Sequence, residues 1–133
     1  MSVLAYKKQK VNAGWTRVDL LLYLYDRTIL SLEASETAQS EGDVAGHAKH
    51  LIHVNKGLTA LYGGLKPEAD EVAFNVARLL HFVAEAVIKS DYRSAIKVLS
   101  SLRNGFAAVA DEVNELECKG LIPSIPIEDA YLA

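Results

Sequence analysis

Apolar residues recur at spacings of three and four along most of the chain, and short polar or glycine-containing breaks divide that rhythm into four stretches. The first opens at Thr16, a candidate N-cap, with Asp19 in the N3 place as a shorter version of the capping-box glutamate. Trp15 and Leu20 flank that cap where a hydrophobic staple would form. This helix is expected to run to about Ser40, where Gly42-Asp43 breaks it and starts the next. The second stretch extends from Asp43 towards Tyr62, with Val44, Ala48, Leu51, Asn55, Leu58 and Tyr62 on one seam and Gly63-Gly64 at its end. Pro67 suits the first turn of a third helix, which reads Ala69, Ala73, Val76, Leu80, Val83 and Val87, widened by Val72 and Leu79. After a turn at Ser90-Asp91, the fourth reads from Tyr92 through Ala95, Leu99, Leu102, Phe106, Val109 and Val113 to Leu116, with Gly120 as its C-cap.

Four amphipathic stretches joined by short loops, with no alternating run of strand length, predict an all-α fold, an antiparallel up-down four-helix bundle. The chain then divides into an arm over 1–14, the bundle over 15–119 and a tail over 120–133, all in one domain. The tail is broken by Pro123 and Pro126 yet carries Leu121, Ile122, Ile125, Ile127, Tyr131 and Leu132, so it is expected to dock on the bundle, a sister subunit or a partner.

Helix one holds more apolar residues than one core-facing stripe needs. Val18, Leu21, Tyr25, Ile29 and Leu32 already fill the stripe, and Leu20, Leu22, Tyr23 and Leu24 make the first half apolar nearly all round. Something must cover that second side: the arm, the tail, or the apolar face of a partner's helix. An exposed face of this kind would mark an interaction site.

Composition narrows the field. With 133 residues, half apolar and 23% charged, the chain is long enough to bury a core without metals or disulfides. A net charge of −3 leaves no basic footprint for nucleic acid, and Lys7, Lys8 and Lys10 read as solvated. The apolar runs are too short to span a bilayer, the N-terminus lacks a signal-peptide layout, and Cys118 stands alone, so a cytoplasmic protein with no membrane association is expected.

Candidate chemistry is sparse. His47, His50 and His53 are spaced three apart, so the outer two diverge and at most two could share a metal. No glutamate stands three residues before any histidine, as a di-iron carboxylate bundle would need. His81 reads as a helix-boundary residue, and Glu33/Glu36, Glu68/Glu71 and Asp111/Glu115 as wet surface. Gly63-Gly64 is followed by Leu65-Lys66-Pro67 and not by the glycine, lysine and hydroxyl residue of a phosphate loop, and Cys118 near a helix end is no activated thiol. No catalytic residue, metal or cofactor is implied. A helical enzyme using His47 and His50, and a homo-oligomer that buries the spare face of helix one, are the competing readings.

The joint order of these features resembles the flagellin-specific export chaperone family. The likeness is carried by Tyr6 and Val11 in the arm, then by Asp19-Leu20-Leu21-Leu22-Tyr23-Leu24-Tyr25-Asp26. Gly42-Asp43, with Ala48, Leu51 and Leu58 after it, continues the match, followed by Asn75-Val76, Asp91 and the run from Val98-Leu99 through Leu102-Arg103 to Phe106. Arg27 stands where a glycine often follows Tyr-Asp, and Phe106 replaces a tryptophan. The resemblance implies a chaperone that holds the C-terminal helical segment of flagellin and keeps it from polymerising early, with a paralogue serving a different helical client as the alternative. Tyr6, Val11, Leu20, Leu24 and Tyr25 are the residues expected to shape or gate the client's groove, and a homodimer is compatible with it.

Overall fold

The computed structural model describes residues 16–119, which form five α-helices and, among the described residues, no strand. They are α1 (Arg17–Ser40), α2 (Val44–Gly63), α3 (Glu71–Ile88), α4 (Tyr92–Ala108) and α5 (Ala110–Cys118). The first four make the expected four-helix bundle. The arm, the Trp15 staple partner, Gly120 and the tail lie outside the described residues.

Each long helix starts on an oxygen-bearing side chain that satisfies one otherwise orphaned backbone N–H. Thr16 accepts from the Asp19 amide, and Asp19 reaches back to the Thr16 amide, completing the capping box. Asp43, Asp70 and Asp91 accept from the amides of Gly46, Ala73 and Ser94. Two of the connections are built alike. At the ends of α1 and α3 the chain turns through a left-handed residue, Gly42 at φ 71° and Ser90 at φ 58°. The next amide, that of Asp43 or Asp91, then bonds back to the carbonyl of Ala38 or Ala86. This is the Schellman closure, followed at once by the next N-cap. The two turns sit at the same end of the bundle, where the Gln39 amide donates to Ser90 Oγ at 3.2 Å.

Three details differ from the sequence reading. The third helix begins at Asp70–Glu71 and not at Pro67, because residues 66–69 form a turn closed by the Ala69 amide on the Lys66 carbonyl, and Asp70 is the stronger cap. Helix two turns a different row inward: Val54, Leu58 and Leu61 are buried, whereas Val44, Ala48, Asn55 and Tyr62 are exposed. The fourth stretch is two helices, broken at Val109, where α5 departs to reach the start of α1.

The core joins Tyr25 and Leu32 of α1, Val54 and Leu58 of α2, Leu80 and Val83 of α3, and Ala95 and Leu99 of α4. α1 packs most extensively on α2 and then on α4, α3 packs on α4, and α2 meets α3 only lightly. The α1–α2 approach is close because Gly57 faces Thr28: a Cβ at Gly57 would lie 2.0 Å from Thr28 Oγ1 and 3.1 Å from its Cβ. Thr28 is itself fully buried, and its hydroxyl donates back to the Leu24 carbonyl at 2.7 Å, as Ser35 does to Ser31 at 2.8 Å. α5 is tied to α1 by Asn114, whose Oδ1 is hydrogen-bonded by the Thr16 hydroxyl and whose Nδ2 donates to Asp19 at 3.5 Å.

Gly57→Ala is expected to destabilise the protein by about 1–3 kcal/mol despite alanine's better helix propensity, since the added methyl overpacks the α1–α2 contact. Chemical denaturation should also show that Thr28→Ala recovers much of that loss in the double variant. Asn114→Ala should remove about 1 kcal/mol of local stability, read as faster amide hydrogen exchange confined to α5 and the first turn of α1.

Candidate partner-binding surface

Val18, Asp19, Leu20, Leu22, Tyr23 and Tyr25 are all buried. At about 100° per residue these positions cover all but one sector of α1, and the half-buried Leu21 and Leu24 fill much of that sector. The apolar surplus of helix one is therefore covered, as its composition requires, and it is not an open groove. Leu20 is 4% exposed and Tyr25 1%, while Leu24 is half-buried and packs against the core. Burial also pushes the Tyr25 phenol well above its ordinary pKa, and its ring packs tilted against Phe106 with centroids 5.8 Å apart. Tyr6 and Val11 lie outside the described residues. The enclosure of α1 includes α5, which the bond pattern of Asn114 holds across its first turns.

Exposed large apolar side chains collect elsewhere. All but Leu30 and Val109 of those in the described residues lie on α2 and α3. Val44 and Ile88, 81% and 83% exposed, stand at the shared end of the two antiparallel helices, beside the Schellman turns. Tyr62, at the far end of α2, crosses to α3 and donates its hydroxyl to the Ala77 carbonyl at 2.8 Å. Val72, Phe74 and Phe82 continue the apolar exposure along α3, with Phe74 57% exposed. Around α3, at about 100° per residue, Phe74 and Ile88 lie within about 40° of each other while Phe82 is turned about 80° or more from both, and α2 and α3 meet only lightly. The signal for them was present in the sequence: Phe74, Phe82 and Ile88 fall off the core seam of helix three, which makes that helix apolar beyond its own packing needs.

Several polar residues have structural partners. His47 Nε2 and the buried Tyr92 hydroxyl are 2.6 Å apart, joining the start of α2 to the start of α4. His81 lies inside α3, exposed and paired with Glu85 at 2.9 Å, and so is not the helix-boundary residue expected. Glu36 pairs with Arg93 and Asp26 with Arg103, each at 3.0 Å. Among the described residues, no three His, Cys, Asp or Glu side chains gather as a metal site requires, and Cys118 is an exposed thiol. No helix there is long and apolar enough to cross a membrane.

A family model described as flagellar protein FliS matches residues 2–115, which takes in the whole bundle and most of α5. The chain matches no curated protein and no solved structure.

One group on α2 titrates away from its ordinary value. The His53 imidazole is held below it, first by desolvation and then by the cations of Lys56, Arg27 and Lys49 and by His50. The folded protein therefore takes up this proton at a lower pH than the unfolded chain, whose imidazole titrates near 6.5. The stability this group contributes is complete above that value and is lost as the pH falls below it. Melting curves taken at about pH 7.5 and about pH 5.5 should show a smaller drop in Tm for His53→Gln than for the unaltered protein.

Proposed function

This chain belongs to the FliS family of flagellar export chaperones, and on that premise we propose that it holds the C-terminal helical segment of flagellin in the cytosol and prevents its premature polymerisation. The observation that carries the reading is the exposed apolar surface along α2 and α3, which meet only lightly: Val44, Phe74 and Ile88 are exposed there, and Tyr62 partly so although it bonds across to α3. A segment that is disordered alone and becomes helical on contact supplies the missing layer. Coupled folding suits this job, because it wraps a large surface while the ordering cost keeps release possible. No chemistry is asked of the chaperone, and no cofactor enters.

In this reading Leu20, Leu24 and Tyr25 act from beneath, fixing α1 as the support on which α2 is set, while Tyr6 and Val11 gate access to the client surface. The helix-in-groove mode of recognition places affinity in a few apolar anchors of the client, spaced three and four apart.

Titration with a peptide of the flagellin C-terminal segment, followed by circular dichroism, should give saturable binding with a gain of helix beyond the sum of the parts. Phe74→Glu and Ile88→Glu should each weaken that binding about tenfold or more, the scale of an apolar side chain kept from burial. Both side chains are exposed, so the thermal stability of the free protein should stay nearly unchanged. Absence of binding, or binding indifferent to both substitutions, contradicts the assignment.

A further inference from the structure

α2 carries Lys49, Lys56 and three histidines, and not one aspartate or glutamate, in a chain whose net charge is −3. Lys49, Ile52, His53 and Lys56 fall at i, i+3, i+4 and i+7, which sets them in one row on one face of the helix. Both lysines are exposed, Ile52 is 56% exposed, and His53 is half-buried. Arg27 of α1 lies close enough to this row to act on the same imidazole as Lys49 and Lys56. The ion pairs among the described residues engage none of Arg27, Lys49 and Lys56. Helices ordinarily neutralise such positions with a carboxylate three or four residues away, since like charges so placed repel. Here the neighbours at those spacings, Ala45, Gly46, Thr59 and Ala60, supply none.

We propose that this row, with Arg27 beside it, is a docking face for an acidic amphipathic helical segment of a partner protein, Ile52 making the apolar contact and the flanking cations meeting its carboxylates. Charge complementarity selects the occupant: three uncompensated cations on an otherwise acidic protein attract anions. The shape selects a peptide over nucleic acid. Seven residues of helix span only about 10 Å, too short to follow a phosphate backbone, and an exposed isoleucine at the middle of the row has no use for phosphates. The row faces outward from α2: at about 100° per residue Lys49, His53 and Lys56 are turned about 120° or more from Tyr62, and Ile52 about 80°, whereas Tyr62 marks the flank facing α3, so the cations are set apart from the proposed flagellin surface and do not depend on that reading.

The test uses the full chain and fluorescence anisotropy at low ionic strength, with a labelled amphipathic helical peptide whose polar face is glutamate and a second in which every glutamate is glutamine. The glutamate probe should bind at least about tenfold more tightly than the glutamine probe and lose that margin at high salt. The double charge reversal Lys49→Glu with Lys56→Glu should abolish the preference, and the milder pair Lys49→Gln with Lys56→Gln should reduce it. In NMR titrations the His53 imidazole should become more basic when the glutamate probe is bound, because new anions offset the surrounding cations. Equal affinity for the two probes, no binding of the glutamate probe, or tighter binding of a short DNA duplex or of vesicles containing anionic lipid would each overturn the proposal. Flagellin-peptide binding measured on the same charge-reversed protein should be unaltered, which separates failure of this face from failure of the chaperone reading.

Discussion

The enclosure of α1 governs the rest of the structure. Its first half is buried on most sides, and its middle meets α2 at a contact so close that Gly57 leaves room for little beyond Thr28. With α2, α4 and α5 all committed to α1, the fourth layer, α3, has α4 as its main neighbour. A symmetric bundle would bury an equal seam between each adjacent pair of helices. This one concentrates its packing around α1 and leaves the α2–α3 side thin. Val44, Phe74 and Ile88 are exposed there, off the core seams of their helices, and Tyr62 is partly so.

That asymmetry changes what the composition of helix one means. Seven apolar positions within its first half suggest a helix in want of a partner, and α1 is met by α2, α4 and α5, the last pinned over its start through Asn114 and the capping box. The want is passed on to α3, the helix with fewest close neighbours relative to its apolar content. An export chaperone has reason to be built this way: a rigid, fully packed axis keeps the fold intact while one loosely closed side stays free for a client that must later leave.

Much of the architecture was legible because it rests on local chemistry. Thr16 with Asp19, Gly42-Asp43 and Ser90-Asp91 each announce a helix boundary through side chains that bond only to their own backbone neighbours, so no knowledge of the tertiary fold is needed. Rotation of a helix about its axis is a different matter. Two rows on α2 share Leu51 and Leu58, one running through Val44 and Tyr62 and the other through Val54 and Leu61, and the choice between them is made by tertiary packing, the close Gly57–Thr28 approach to α1 included. The break at Val109 has no glycine or proline to signal it, since it follows from the reach of Asn114 to a residue 95 positions earlier. The candidate contact residues suffered from the same limit: Leu20 and Tyr25 are apolar in sequence, but exposure is a property of the assembled bundle, and there they are inside.

The proposed site for a helical client is the thin α2–α3 side and not α1. Amide hydrogen exchange, compared between the free protein and its complex with the flagellin C-terminal segment, reads this directly. The account predicts that new protection is concentrated in α2 and α3, on the turns that carry Val44, Tyr62, Phe74 and Ile88, with the first half of α1 unchanged. Protection gained mainly over Leu20 to Tyr25, with α2 and α3 exchanging as before, would contradict it.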